Sequence, residues 1–315
     1  MVESLRRGAD TLPVVTHESA REAPFGRVIT AMATPFDANG EVDLAAASTL
    51  ATELVDLGCD GLVINGTTGE SPTTSDGEKS ALLTAVLEAV GDRARVIAGV
   101  GTSDTRHTVH LASQAHQAGA HGLLVVTPYY NKPSQEGLLA HFTTVADSSD
   151  LPVMLYDIPG RAGVPIATDT LVALAEHPRI VANKDAKGDL WAAQQVMQRS
   201  DLVYYSGDDA LNLPLLSVGA VGVVSVTGHI VADRLAAMIA AYLEGDTAAA
   251  TAINTSLVPV TEGIMYRAPG LVMVKAALDL LGRVGGGAVR LPLVAATEAQ
   301  RSVLRDDLRA GGFDL

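Results

Sequence analysis

Lys184 stands where a short apolar run turns into charge, in the stretch Ile180-Val181-Ala182-Asn183-Lys184-Asp185-Ala186-Lys187-Gly188-Asp189. Such a run reads as the end of a buried parallel strand emerging into a loop. A lysine held there, half in the core, loses the solvation of its ammonium form and becomes a better nucleophile at neutral pH. A free lysine, with a pKa near 10.4, is neutral in only about one molecule in a few thousand at pH 7, and each unit of depression raises that fraction about tenfold. The chemistry on offer is attack on a carbonyl to form an imine. The plainer use of Lys184 is a solvated strand-end cap paired with Asp185 or Asp189. Lys187 competes for the nucleophile's role from a better hydrated position.

Imine formation expels water, so a proton shuttle must stand beside the amine. Tyr156 ends another apolar run, in Tyr156-Asp157-Ile158-Pro159-Gly160-Arg161. A lone phenol near pKa 10 shuttles poorly unless it is hydrogen-bonded into a chain. The hydroxyls of Thr67 and Thr68, in Asn65-Gly66-Thr67-Thr68-Gly69-Glu70-Ser71, both donate and accept, as a relay requires. A substrate carboxylate calls for a fixed cationic fork, which Arg161 could supply. The amides of 66–69 have a second possible use, cradling a phosphate. There is no Cys/His cluster and no HExxH, so no metal is expected. No Walker loop or GxGxxG opens a helix, so no nucleotide cofactor is expected either.

A repeating rhythm must position these residues. Apolar runs at 28–33, 61–65, 95–100, 121–127, 152–157, 180–184, 202–206 and 221–226 each precede a stretch with helical spacing, at 43–57, 76–90, 105–118, 135–147, 169–176, 190–198, 210–218 and 232–243. The runs are continuous rather than alternating, as strands covered on both faces should be. Gly58, Gly119 and Gly219 stand where helices would be capped before the next strand. Eight such units predict a closed (β/α)8 TIM barrel over 26–245, with an open doubly wound sheet as the alternative. In such a barrel the chemistry sits at the C-terminal strand ends, where Lys184, Tyr156, Thr67 and Thr68 all fall. Residues 246–315 read as a three-helix extension at 247–263, 271–281 and 295–309. Residues 1–25, polar and aperiodic, read as a flexible extension.

Composition limits the partners. The 315 residues are 48% apolar, and 36 acids against 22 bases leave a net charge of −14, with no basic cluster. Nucleic acid and anionic membrane surfaces are therefore excluded as expected partners. The single cysteine, Cys59, lies in an apolar passage and reads as a core residue. No apolar run reaches the length of a membrane span, and the N-terminus lacks a signal-peptide core, so a cytoplasmic protein is expected.

The longer motifs carry a resemblance. GTTGES at 66–71, TPYYNKPSQEG at 127–137, YDIPGR at 156–161, KDAKGD at 184–189 and SGDDA at 206–210 occur in that order. With them the chain after about Gly26 resembles the dihydrodipicolinate synthase (4-hydroxy-tetrahydrodipicolinate synthase) family of pyruvate-dependent class I aldolases. GESPTT and DGEK resemble its actinobacterial branch.

The resemblance implies that Lys184 forms an imine with pyruvate. Tyr156 would be the acid/base hydroxyl, relayed through Thr67 to a Tyr130 contributed by a neighbouring subunit. Thr68 would bind the pyruvate carboxylate, with Gly207 and Val224 lining that pocket, and Arg161 would bind the carboxylate of aspartate semialdehyde. It further implies a lyase of diaminopimelate and lysine biosynthesis that needs no cofactor and works as a homo-oligomer, commonly a tetramer built as a dimer of dimers. The alternatives are a related aldolase acting on a sugar-like 2-keto acid, which would bind a polyol where this chain has Arg161, and a non-catalytic paralogue.

Two features depart from the family pattern. Asn183 replaces the usual aliphatic residue before the lysine, and strand alternation would turn it toward the helices, where it needs a buried partner. The positions matching the family's lysine-inhibition pocket read Asp76, Lys79, Ser103 and His107. Lys79 would repel a lysine ammonium, so weak or absent feedback inhibition is expected.

Overall fold

The computed structural model describes residues 22–315. Eight parallel strands form a closed barrel in sequence order. They are β1 (Val28–Ala31), β2 (Gly61–Ile64), β3 (Arg95–Gly99), β4 (Gly122–Val126), β5 (Val153–Asp157), β6 (Ile180–Asp185), β7 (Val203–Ser206) and β8 (Gly222–Ser225). β1 closes the ring by pairing with β8, Ile29 opposite Val224. The TIM barrel expected from the rhythm is therefore the observed fold, and the open sheet is not.

Alternation along each strand sorts the core into two layers. Ile29, Ala31, Val63, Ile97, Leu124, Met154, Tyr156, Ala182, Tyr205 and Val224 pack together inside the barrel. Their neighbours Val28, Leu62, Ile64, Val96, Leu123, Val153, Leu155 and Tyr204 join the larger layer between strands and helices. The helices begin where side-chain acceptors meet free backbone donors. Asp43, Ser75, Asp104, Ser134 and Asp189 each cap the helix that follows. Gly58, Gly119 and Gly219 take the left-handed conformation expected of them between helix and strand.

Of the extension expected over 1–25, residues 1–21 lie outside the described residues. Phe25, at its far end, is fully buried in the interior cluster, and its amide donates to the Tyr205 hydroxyl at 3.3 Å.

The C-terminal region departs from a reading of three plain helices. The first breaks into Thr247–Ser256, Val258–Thr261 and a π-helical turn over Glu262–Tyr266. Pro259 lies at the break and lacks the amide that would continue the helix. Helices at Gly270–Leu280 and Glu298–Ala310 follow. Among the described residues, no helix is long and apolar enough to cross a membrane.

Candidate active site

Strand pairing brings the chemistry together. Lys184 on β6 lies directly opposite Tyr156 on β5 and Tyr205 on β7. All three side chains point inward, because each sits on the interior parity of its strand. The Lys184 amine stands 4.1 Å from the centre of the Tyr156 ring. Only 4% of Lys184 is exposed. Burial pulls its pKa down to about 8, helped by the Arg161 charge and opposed by the Asp209 carboxylate. The residue is therefore not a solvated cap. Asp189 instead caps the following helix, and Asp185 turns its carboxylate to the amides of Lys187 and Gly188. Lys187 is the better hydrated lysine, as expected, and its ammonium faces Asp157 at 3.4 Å.

Tyr156 is also buried, and burial pushes its phenol up to about 12, against the pull of Arg161 and of a hydrogen bond with Thr67. Thr67 and Tyr156 share a cavity of about 220 Å³ with Arg161, Tyr129, Leu124 and Val126. Arg161 lies on a one-turn helix, Pro159–Ala162, where the sequence reads as a plain loop. Pro159 favours that turn because its fixed φ suits a first helical position.

Thr68 is buried beside Thr67. Gly207 closes over the lysine. A side chain there would come within 2.8 Å of Lys184 Cγ and 2.9 Å of Cε, so the residue must be glycine for the lysine stem to pass. Val224 lies in the interior cluster with Tyr156 and Tyr205.

Tyr130 stands apart. It is 94% exposed and does not line the cavity, whereas Tyr129 does. Its φ of 73° is left-handed. Among the described residues, the non-glycine left-handed positions are Asn65, Glu70, Tyr130 and Lys132, all in the segments that follow β2 and β4. A left-handed backbone is costly away from glycine and tends to cluster at functional loops.

Two features escaped sequence reading, and a third was read only in part. Asp209, now buried, accepts from the Ser225 hydroxyl at 2.5 Å and from the amides of Val226 and Thr227 at 2.9 Å. It thereby ties the loop after β7 to the end of β8. His229 accepts from the Ala33 amide through Nε2 at 2.9 Å and donates from Nδ1 to the Val226 carbonyl at 2.8 Å. It joins the ends of β1 and β8 as a neutral ring, its pKa held down to about 4 by burial. Asn183 turns to the helix side, as strand alternation requires, opposite Tyr204. Its amide, the Tyr204 hydroxyl and Oδ2 of Asp185 lack a close hydrogen-bonding protein partner, and Oδ2 of Asp157 has the Lys187 ammonium at 3.4 Å. Burial raises the Tyr204 pKa, and the two carboxylates raise it further while Asn183 opposes them. These four groups form a polar strip directly behind Lys184.

Residues 24–311 match the model of the dihydrodipicolinate synthetase family. The 4-hydroxy-tetrahydrodipicolinate synthase of Acidothermus cellulolyticus is 62% identical over 295 residues, 94% of this chain and 95% of that protein. 4-Hydroxy-tetrahydrodipicolinate synthase 2 of Streptomyces coelicolor is 60% identical over 297 residues, 94% of this chain and 99% of that protein. Among solved structures, a dihydrodipicolinate synthase of Bacillus anthracis superposes with a TM-score of 0.88 at 44% identity, covering 90% of this chain and 98% of that one. The Cyanidioschyzon merolae enzyme with lysine bound gives 0.89 at 41% identity, covering 92% and 99%.

Proposed function

This chain belongs to the dihydrodipicolinate synthetase family, and we infer from that membership and from its Lys184 site that it is a 4-hydroxy-tetrahydrodipicolinate synthase. It is a lyase of diaminopimelate and lysine biosynthesis that condenses pyruvate with L-aspartate 4-semialdehyde. The observation that carries the reading is a buried lysine amine 4.1 Å from the centre of a buried tyrosine ring. The Lys184 amine attacks the pyruvate keto carbon, Tyr156 passes protons, and water leaves as the imine forms. Loss of a methyl proton gives the enamine, which attacks the aldehyde. The amine of the second substrate then displaces Lys184, closing the ring and freeing the enzyme. Thr68, Gly207 and Val224 hold the pyruvate end, and Arg161 at the mouth binds the second carboxylate. No step calls for a cofactor.

The test against a lyase of sugar-like keto acids is substrate choice. The protein is expected to consume pyruvate with aspartate semialdehyde and not with sugar aldehydes. Turnover with the sugar aldehydes alone would favour the other reading.

The exposure of Tyr130 supports an oligomer. In one protomer this phenol stands in solvent, outside the lining of the cavity that holds Thr67. A neighbouring copy would complete the relay, so a dimer is the least that works, and a tetramer made of two such dimers is the proposed assembly. Replacing Tyr130 by phenylalanine should lower turnover about tenfold or more, while Lys184 still forms the pyruvate imine. Equal loss of both would count against the relay. A cytoplasmic location goes with this reading, since both substrates are small charged metabolites of that compartment.

Free lysine is not expected to inhibit. The Lys79 side chain is buried and its ammonium donates to the Thr74 carbonyl. Asp76 is engaged by His107 at 3.0 Å. A bound lysine would meet a fixed positive charge and a carboxylate already partnered. Initial-rate assays with added lysine should stay flat; half-inhibition at sub-millimolar lysine would refute this.

A further inference from the structure

The loop that bears the hydroxyls Thr67 and Thr68 ends in a left-handed residue, Glu70, with φ at 56°. Glu70 and Lys275 are each 1% exposed at the side chain and meet at 2.7 Å, although 205 residues separate them. The other carboxylate oxygen of Glu70 accepts the Arg290 amide at 2.9 Å. Lys275 also donates to the Ala288 carbonyl at 2.6 Å. The Arg290 side chain fastens the same segment to the barrel face, through the Gly40 and Thr73 carbonyls at 2.8 and 2.9 Å and Glu78 at 2.5 Å. Lys275 and Arg290 both lie 4.4 Å from the centre of the Phe36 ring. Within the loop, Gly69 donates to Gly66 and Glu70 to Thr67, so the turn moves as one body. It is anchored as well by Thr34, whose hydroxyl donates to the Gly69 carbonyl at 2.7 Å, and by Asn65, whose side-chain amide donates to the Lys79 carbonyl at 3.0 Å.

A buried charge pair of this kind adds little to stability compared with an apolar replacement of the same volume, whereas its two-sided hydrogen bonding fixes the loop's position. We propose that Glu70 is a positioning residue, by which the C-terminal helical region clasps the loop after β2 and holds Thr67 and Thr68 at the imine site. The proposal rests on the pyruvate reading for its kinetic consequence and on the fold alone for the clasp.

The test is the neutral double variant Glu70→Gln/Lys275→Met. The two substitutions cut the loop's link to Lys275 and, through it, to the Ala288 carbonyl, and leave no buried charge unpaired. The variant should melt within about 3 °C of wild type. Its KM for pyruvate should rise about tenfold and its kcat fall about tenfold, because small misplacements of positioning groups are costly. Its KM for aspartate semialdehyde, set by Arg161 on a separate loop, should change by less than about twofold. Amide hydrogen exchange over 66–73 should speed up. Unchanged exchange overturns the clasp. Faster exchange with wild-type kinetics overturns the positioning role. Should the double variant not fold, Arg290→Met, which frees the same segment from the surface, must show the same pattern in weaker form; wild-type exchange and KM there would overturn the proposal. Failure of the pyruvate reading is seen separately, as absence of a borohydride-trapped pyruvate on the wild-type protein.

Discussion

Replacing Lys184 by methionine is expected to lower turnover by at least about 10⁴-fold and to abolish borohydride trapping of pyruvate. Methionine has about the same volume and no amine, so the barrel should fold and the loss should be chemical. In the wild type, reduction in the presence of pyruvate should leave one carboxyethyl group on Lys184, read by peptide mass analysis. An adduct on Lys187 instead would reverse the assignment. Lys187 is the wrong lysine on geometry, because it sits against Asp157 on the helix side of β6. The pH dependence follows from the depressed amine. With the pKa near 8, the neutral amine is the minor form below that pH and the major form above it. The initial rate of imine formation should therefore fall about tenfold per pH unit below 8 and level off above it. A rate that keeps climbing to pH 10 would mean the amine is not depressed, and the site would lose its main physical support.

Changing Tyr156 to phenylalanine should slow imine formation and turnover by about 10²- to 10⁴-fold, the usual worth of a positioned acid–base group. The Lys184 adduct should still accumulate given time, because the amine and the carboxylate-binding groups remain. This separates the shuttle from the nucleophile. A phenol pushed up to about 12 does not ionise under working conditions. It works by accepting a proton as it gives one, which needs the Thr67 hydroxyl as the next link. No basic limb attributable to Tyr156 should then appear below about pH 11. A clear loss of activity centred near pH 9 that disappears in the phenylalanine variant would show that the phenol ionises, and the concerted relay would have to be abandoned.

How much of this was legible in the residues depends on range. Helix and strand periods are local, so the strand-and-helix rhythm disclosed a closed barrel, and the rule that barrel chemistry sits at C-terminal strand ends picked out Lys184, Tyr156, Thr67 and Thr68 together. Alternation along β6 correctly sent Asn183 outward, yet nothing local revealed that Tyr204, on the adjacent strand, would lie opposite it. The helical turn at Arg161 was too short for any periodic signal.

The sequence by itself determined the fold class and singled out Lys184 as the candidate nucleophile, because both are written in runs of a few residues. Tertiary structure alone decided the amine's environment, the exile of Tyr130 from its own cavity and the clasp between Glu70 and Lys275. Those depend on which distant segments share a volume once the ring closes, and burial, which sets both pKa values and the cost of an unpaired charge, exists only after that closure.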